Sequence, residues 1–227
     1  MPSSAEYFCR NQGTLTVDQQ QTLQQKRVAV IGCGGLGGYV IEELVRIGVG
    51  RLHVVDPDVF TPSNCNRQLN ALSQSLGRNK AEAAAARSES IHPFCAVTPV
   101  SLDFRAVAAA DWHQIDVVVD CLDTIPARYD LAARCNRLNL PLVHGAVNGW
   151  YGQVGVQLPG GDLLTRLYPE RTSNQPQEPP SVLSFTVAVV ASLQAAETVK
   201  LLLGLASPLH NNWMHIDLKN SDFLVHG

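Results

Sequence analysis

Val28-Ala-Val-Ile31, Gly32-Cys-Gly34-Gly-Leu-Gly37 and Leu52-His-Val-Val-Asp56 decide the fold. The first is a short apolar strand, the second a glycine-rich turn, and the third a strand ending in a carboxylate. Between turn and second strand, Tyr39 to Ile47 reads as an amphipathic helix. Glycines at 32, 34 and 37 match the spacing with which a strand–turn–helix unit holds a dinucleotide. Three glycines serve three needs: a tight turn, close approach of backbone to phosphate, and close packing of helix on strand. The following helix directs its unpaired N–H groups and its positive dipole end at that phosphate. Asp56 lies where such folds hold a ribose hydroxyl.

Working outward, the chain alternates strand and helix. Arg78 to Ser90 is Ala-rich and helical, stopped by His92-Pro93, and Ala96-Val-Thr-Pro-Val100 is a strand. Residues 102–114 read as a helix capped by Asp103. Asp116-Val-Val-Val-Asp120 is a continuous β-branched run, as in a buried parallel strand. Asp123 to Leu138 is helical and Leu140-Pro-Leu-Val-His144 is a strand. Residues 27–145 therefore predict a Rossmann-like, doubly wound, mostly parallel α/β sheet. Beyond Gly152 the pattern changes. Gln153-Val-Gly-Val-Gln157 alternates like an antiparallel strand with one wet face, and Trp213–Asp217 with Phe223–Val225 reads as a closing hairpin. The sheet is thus expected to continue into antiparallel C-terminal strands. Residues 169–181, rich in Pro and polar residues, read as a linker within the 169–184 crossover connection that leads to a nearly all-apolar helix over 185–203 ended by Gly204. At the other end, Thr16 reads as the cap of a helix in the Gln-rich segment 1–25. One domain over 1–227 is expected, its nucleotide-binding part at 27–145 and its C-terminal part at 146–227.

The bulk numbers narrow the function classes. A 227-residue chain with 45% hydrophobic residues can bury a full core. A net charge of −3 supplies no basic surplus for nucleic acid. The N-terminus lacks a basic then apolar leader pattern, and the 185–203 helix carries Ser192, Gln194, Glu197 and Lys200, which reads as a buried helix rather than a membrane span. A cytoplasmic enzyme is expected. The six cysteines, at 9, 33, 65, 95, 121 and 135, include no Cys-x-x-Cys pair, so no zinc is expected.

Four clusters fall at the strand ends where open α/β sheets bind ligands. One is the glycine turn with Asp56. Another, Asp56-Pro-Asp58 followed by Ser63-Asn64-Cys65-Asn66-Arg67-Gln68, sets a permanent cation and amide groups beside the nucleotide; a guanidinium can bind two phosphate oxygens at once. The third is Gly77-Arg78-Asn79-Lys80. A lysine in the first turn of a helix opposes the dipole, which favours an anion as its partner. The last is Asp120-Cys-Leu-Asp123. Asp123 suits a magnesium ligand, since Mg²⁺ takes one or two carboxylates with phosphates and water, and it equally suits a helix N-cap.

These stretches in this order, with Val119-Asp-Cys-Leu-Asp123 and the late Ser192-Leu-Gln-Ala-Ala-Glu-Thr-Val-Lys200, resemble the MoeB/ThiF/HesA group, the bacterial relatives of ubiquitin-activating E1 enzymes. The similarity runs from about Tyr7 to near the C-terminus. The resemblance implies an ATP-dependent adenylyltransferase. It would bind ATP with Mg²⁺ and join AMP to the C-terminal glycine carboxylate of a ThiS- or MoaD-like sulfur carrier of ubiquitin fold ending in Gly-Gly, with release of pyrophosphate. It further implies that Gly32, Gly34, Gly35 and Gly37 form the ATP loop and that Asp56 is the ribose ligand. Asp58 and Leu122 would border the nucleotide, and Asn64, Arg67, Gln68 and Lys80 would contact phosphate. Asp123 would hold magnesium, and Arg10 would reach into the site of a second protomer, which implies a homodimer. Arg10, Arg67, Lys80 and Asp123 are the catalytic set under this reading.

The chain also departs from the group. Asp162-Leu-Leu-Thr-Arg-Leu-Tyr168 stands where many relatives carry zinc-binding Cys-x-x-Cys, and residues 169–184 hold no cysteine for a thioester or persulfide. Thr124 replaces the usual Asn. Adenylation with sulfur supplied by a separate donor is therefore expected. Two other enzyme readings remain open here: activation of a carboxylate on modified tRNA or a peptide, and an NAD(P)-dependent oxidoreductase. A nucleotide-binding scaffold without catalysis is the non-enzyme reading. The oxidoreductase would leave Arg67, Lys80 and Asp123 without a task.

Overall fold

A computed structural model describes residues 3–169 and 181–227. Its sheet has eight strands: β1 (Arg27–Ile31), β2 (Arg51–Val55), β3 (Ala96–Val100), β4 (Val117–Asp120), β5 (Leu142–Asn148), β6 (Tyr151–Gln157), β7 (Trp213–Asp217) and β8 (Asp222–His226). The helices among the described residues are α1 (Ser4–Tyr7), α2 (Val17–Gln25), α3 (Gly35–Ile47), α4 (Lys80–Ile91), α5 (Ala109–Trp112), α6 (Ile125–Leu138), α7 (Leu163–Leu167) and α8 (Ser184–Leu202).

Strand order is β3-β2-β1-β4-β5-β6-β7-β8. The first five strands pair in parallel and the pairs from β5 onward are antiparallel, as the sequence pattern predicts. The chain winds outward from β1 in one direction and from β4 in the other. The loops after β1 and β4 therefore diverge at the switch point where such sheets open a crevice. One face of the sheet buries Val28, Val30, Val54 and Val119 with Leu44 of α3 and Val190 of α8; the other buries Ile31 and Val118 with Leu131 of α6 and Leu164 of α7. Strands covered on both faces need apolar residues at every position, which is why β4 reads Val-Val-Val.

Several elements differ from expectation. The helix after the glycine turn begins at Gly35 rather than Tyr39, because Gly34 to Gly38 already closes the first turn, Gly38 N–H donating to the Gly34 carbonyl. Residues 102–114 are not one helix. Asp103 does cap, accepting from Arg105 N–H, but only a 3₁₀ turn over Phe104–Ala106 and the short α5 form. Arg134 takes the carbonyls of Phe104 and Val107 that a continuous helix would use. β6 has no wet face over its second half: Val154, Val156 and Gln157 are all buried, since α8 packs on one side and α7 on the other. Helix α8 has the length and apolar composition of a membrane span, yet half of it is buried in the fold, against α3, β4, β5 and β6. Its polar residues explain themselves inside the protein. Gln194 donates to the Asp120 carbonyl at 2.8 Å, and Glu197 takes Lys200 and Ser207. Of the expected crossover loop, residues 170–180 lie outside the described residues.

Candidate active site

The glycine turn is shaped by what touches it. Gly32 has φ +94°, and its N–H donates to the Val55 carbonyl at 2.8 Å, tying the turn to the end of β2. A Cβ on Gly37 would lie 1.8 Å from the Gly32 carbonyl oxygen, and one on Gly32 would lie 2.6 Å from the Cys121 carbonyl oxygen. Both contacts are with backbone, so no side chain fits without moving the turn. Gly34 is the N-cap of α3 and supplies no side-chain cap. The N–H groups of 35–37, which precede the first bonded turn, are left for an external acceptor.

Asp56 closes the turn from the β2 side. Its two carboxylate oxygens accept from the N–H of Cys33 at 2.7 Å and of Asp58 at 2.9 Å. Burial pushes its carboxyl up from the ordinary 3.8, opposed by these two N–H groups and by the Lys80 cation. Each oxygen keeps a second lone pair for a hydroxyl donor.

Asn79 organises the next corner. Its side-chain oxygen accepts from Ala81 and Glu82 N–H as the cap of α4, while its amide nitrogen donates to the carbonyls of Asp56 and Asp58. Lys80 is consequently the first residue of α4, 8% exposed, with Nζ on the exposed Asp58 carboxylate at 2.9 Å. A buried ammonium at a helix N-terminus needs an anion, and Asp58 supplies one from the solvent side.

The loop after Asp58 is ordered rather than structureless. A 3₁₀ turn over Pro62–Asn64 is held by Asn64 Oδ1 accepting from Thr61 N–H. Arg67 is half-buried and its guanidinium donates to the Ser63 carbonyl and to Asn66 Oδ1. Asn66 Nδ2 reaches the Val182 carbonyl, joining this loop to the segment that enters α8. Gln68 is buried. Its amide lies over the glycine turn, Nε2 being 3.3 Å from where a Cβ on Gly34 would sit, and its Oε1 has no partner among the described residues. An orphaned buried amide oxygen facing a turn of free N–H groups marks a ligand-shaped gap.

From the β4 side, Cys121 touches Gly32 and Gly37, and its N–H donates to the Ile31 carbonyl. Asp123 follows two residues later, exposed. It is not the helix cap: α6 starts at Ile125 with Thr124 in the N-cap position. That removes the structural alternative left open by the sequence. Leu122 packs against the α6 side of the core, and its backbone is held on both sides.

The structure thus gathers Gly32–Gly37, Asp56, Asp58, Asn64, Arg67, Gln68, Lys80, Leu122 and Asp123 on the loops at one edge of the sheet. Arg10 is elsewhere. Its short 3₁₀ turn is anchored by Phe8, which packs on Gly48 and His92 at the far end of α3. The 13 residues of α3 put that end about 20 Å from the glycine turn.

Sequence reasoning passed over a buried polar network beside the site. Asp120 and His144 face each other across β4 and β5, both fully buried, with His144 Nδ1 2.7 Å from Asp120 Oδ2. His144 Nε2 is 3.0 Å from the Tyr168 hydroxyl, which also receives Arg128 and Gln153. A carboxylate ending the apolar β4 and a histidine inside the buried run of β5 were the available signal.

The fit to ATP and Mg²⁺ rests on this donor set. Free helix N–H groups, the Gln68 amide nitrogen over Gly34, a lysine and an arginine lie on the loops where a polyphosphate would sit. Among the described residues no group of three or more His, Cys, Asp and Glu could hold a metal ion. Asp123 alone would be enough for Mg²⁺, whose other ligands would be phosphate oxygens and water. Burial pushes the Cys33 and Cys121 thiols well above their ordinary value and that of Cys95 to about 12, so these are poor nucleophiles.

Comparison with known proteins agrees with this geometry. A family model described as the ThiF family matches residues 8–226. The SAMP-activating enzyme E1 of Haloferax volcanii is 36% identical over 213 residues, covering 90% of this chain and 77% of the relative. The molybdopterin-synthase adenylyltransferase of Escherichia coli is 33% identical, covering 91% and 84%. The sulfur carrier protein adenylyltransferase of Thermus thermophilus is 34% identical, covering 90% and 79%. Among solved structures, E. coli MccB superposes with a TM-score of 0.82 over 99% of this chain and 70% of that one, at 21% identity, a likeness of fold.

Proposed function

The chain belongs to the ThiF family, and on that premise we propose that it adenylates the C-terminal glycine carboxylate of a ubiquitin-like sulfur carrier protein, consuming ATP and releasing pyrophosphate. The observation that carries the reading is the meeting of three loops. The Gln68 amide and the Cys121 backbone both close on the glycine turn, with Lys80 at the adjoining helix start. A dehydrogenase needs only the first of these loops. The names of the relatives support the acceptor: they are adenylyltransferases for molybdopterin synthase and a sulfur carrier, and a SAMP-activating enzyme.

In this reading the residues act by position and charge. A carboxylate must approach an α-phosphate that is itself anionic, and charge builds on the departing pyrophosphate. The N–H groups at the start of α3 hold phosphate oxygens, and Asp56 orients the nucleoside through a ribose hydroxyl. Lys80 exchanges Asp58 for phosphate. Arg67, half-buried and bound among the described residues to a carbonyl and an amide oxygen, swings its fork onto phosphate. Asn64 and Gln68 add amide contacts, with Asp58 and Leu122 bordering the nucleotide. Mg²⁺, when held by Asp123, would neutralise phosphate charge. No side-chain nucleophile is required, and the sulfur atom comes from a separate donor. Arg10 completes the site of a second protomer, because its own glycine turn is out of reach. The chain acts as one domain.

The test is ATP–pyrophosphate exchange with and without a candidate carrier ending in Gly-Gly. Carrier-dependent exchange is expected, and Arg67→Ala and Lys80→Ala should each lower it about 100-fold or more while folding normally. Absence of carrier-dependent exchange at every Mg²⁺ concentration refutes the reading. Full activity in either variant refutes that residue's role.

A further inference from the structure

The buried polar network beside the site closes on itself. Asp120 Oδ1 accepts from the N–H of Leu122 at 3.0 Å. The Leu122 carbonyl accepts from Arg128 Nε at 3.1 Å and from a terminal nitrogen at 2.8 Å. The other terminal nitrogen of Arg128 donates to the Tyr168 hydroxyl at 3.0 Å. That hydroxyl meets His144 Nε2 at 3.0 Å, and His144 Nδ1 returns to Asp120 Oδ2 at 2.7 Å. Five residues from β4, the turn after it, β5, α6 and the segment after α7 thus form one ring of hydrogen bonds.

Proton accounting fixes its direction. Arg128 and the Gln153 amide, 2.6 Å away, both donate to the Tyr168 oxygen and occupy its two lone pairs. The Tyr168 proton must then go to His144 Nε2, so His144 is neutral with its proton on Nδ1, donated to Asp120. Burial lowers the histidine and raises the tyrosine, in keeping with neutral forms of both. The Arg128 and Asp120 charges are separated by two neutral groups and each is hydrogen-bonded.

The ring holds the two peptide groups that flank Leu122, the N–H of one by Asp120 and the carbonyl of the next by Arg128. Asp123 is the next residue. Cys121, the residue before, is the one against Gly32 and Gly37. The main chain of Tyr168 is anchored as well, its carbonyl accepting from the Tyr129 hydroxyl. We propose that Tyr168, closing this ring, is a positioning residue that holds the 121–124 turn so that Asp123 is aimed at the metal–nucleotide site. The inference rests on the role given to Asp123 above. Tyr168 itself touches neither nucleotide nor metal.

The experiment titrates the protein with Mn²⁺ in the presence of a non-hydrolysable ATP analogue, reading bound metal by electron paramagnetic resonance. Hydrogen exchange at Leu122 is followed alongside. Tyr168→Phe, which removes one oxygen, is expected to weaken Mn²⁺ about tenfold. It should also speed exchange of the Leu122 amide and leave metal-free binding of the analogue within about twofold. Gln153→Met, which removes a bond to the same hydroxyl but leaves the ring closed, is expected to leave Mn²⁺ affinity unchanged. Equal loss in both variants would mean packing rather than the ring, and unchanged affinity in Tyr168→Phe would overturn the proposal while the adenylation reading stood. Wild-type protein that binds the analogue but no Mn²⁺ refutes the role of Asp123 and with it this inference. Protein that binds no nucleotide refutes both.

Discussion

At the scale of single residues, the site is built from groups whose partners are backbone. Asp56 spends one lone pair of each oxygen on an N–H, Asn79 uses its whole amide on the main chain, and Arg128 gives two of its donors to one carbonyl. Such residues set loop shape first and bind ligand second. The neutral His144 in particular has a thermodynamic consequence. Burial holds its folded-state value below the ordinary 6.5, although Asp120 pulls the other way and Arg128 reinforces the burial. A group depressed on folding contributes stability that is fully present above 6.5 and is lost as pH falls through the lower folded value. Thermal unfolding should therefore drop on acidification below about 6.5, with a slope of up to one proton, about 1.4 kcal/mol per pH unit. His144→Gln should be less stable at pH 8 and show a shallower acid limb. Parallel acid limbs in the two proteins would contradict a buried neutral histidine.

At the scale of elements, the glycine turn does its work by exclusion. Gly37 and Gly35 sit two residues apart on α3 with opposite surroundings. A Cβ at 37 meets the Gly32 carbonyl at 1.8 Å, whereas one at 35 meets only Val187 methyls at 3.4 and 3.7 Å. Gly37→Ala is expected to destabilise the fold by about 2 kcal/mol or more by pushing α3 off β1, and Gly35→Ala by less than about 0.5 kcal/mol. Chemical denaturation of both variants checks the contrast; equal effects would mean the turn yields more easily than its geometry indicates. The same element shows why α3 starts earlier than local propensity indicates. Helix propensity counts against Gly34-Gly-Leu-Gly-Gly38, but the packing of Gly37 on Gly32 requires that turn to be helical already. Residues 102–114 failed in the other sense. Local pattern favours a helix there, and one arginine from α6 claims its carbonyls. In the region where Asp162 to Tyr168 stands, the fold is fastened by hydrogen bonds. Arg166 bonds Asp162 and the Asn211 carbonyl, and Asn211 Oδ1 accepts from Leu158 N–H.

At the scale of the whole molecule, the separation of Arg10 from the glycine turn is the main result. Phe8, Asn11 and Gln20 fasten the N-terminal arm to the C-terminal end of α3, Asn11 and Gln20 both donating to the Ile47 carbonyl. No rotation of one side chain spans the length of that helix. If Arg10 acts in catalysis it does so in a second copy. Mixing Arg10→Ala with Asp123→Ala protein should restore about a quarter of wild-type exchange if hybrid dimers form at random, since half of the dimers are hybrids and each has one intact site. Hybrid dimers without activity would exclude that arrangement.

What the sequence by itself determined was local and periodic. The strand–turn–helix unit and the parallel-then-antiparallel sheet follow from residue spacing, because short-range sterics and hydrogen bonding fix them. The clusters that hold the candidate residues from Gly32 to Asp123 fall at strand ends or turn signals, while the role of each residue in them comes from the resemblance and stands as a proposal. Only the tertiary structure decided how those loops meet. It turned Gln68 over Gly34, paired Lys80 with Asp58, took the cap from Asp123 and set Arg10 at the far end of α3. The ring through Asp120, Leu122, Arg128, Tyr168 and His144 was illegible because its side chains join segments 24 and 40 residues apart. Contacts at that range carry no local spacing rule. They exist only once β4 and β5 lie side by side and burial obliges every polar atom between them to find a partner.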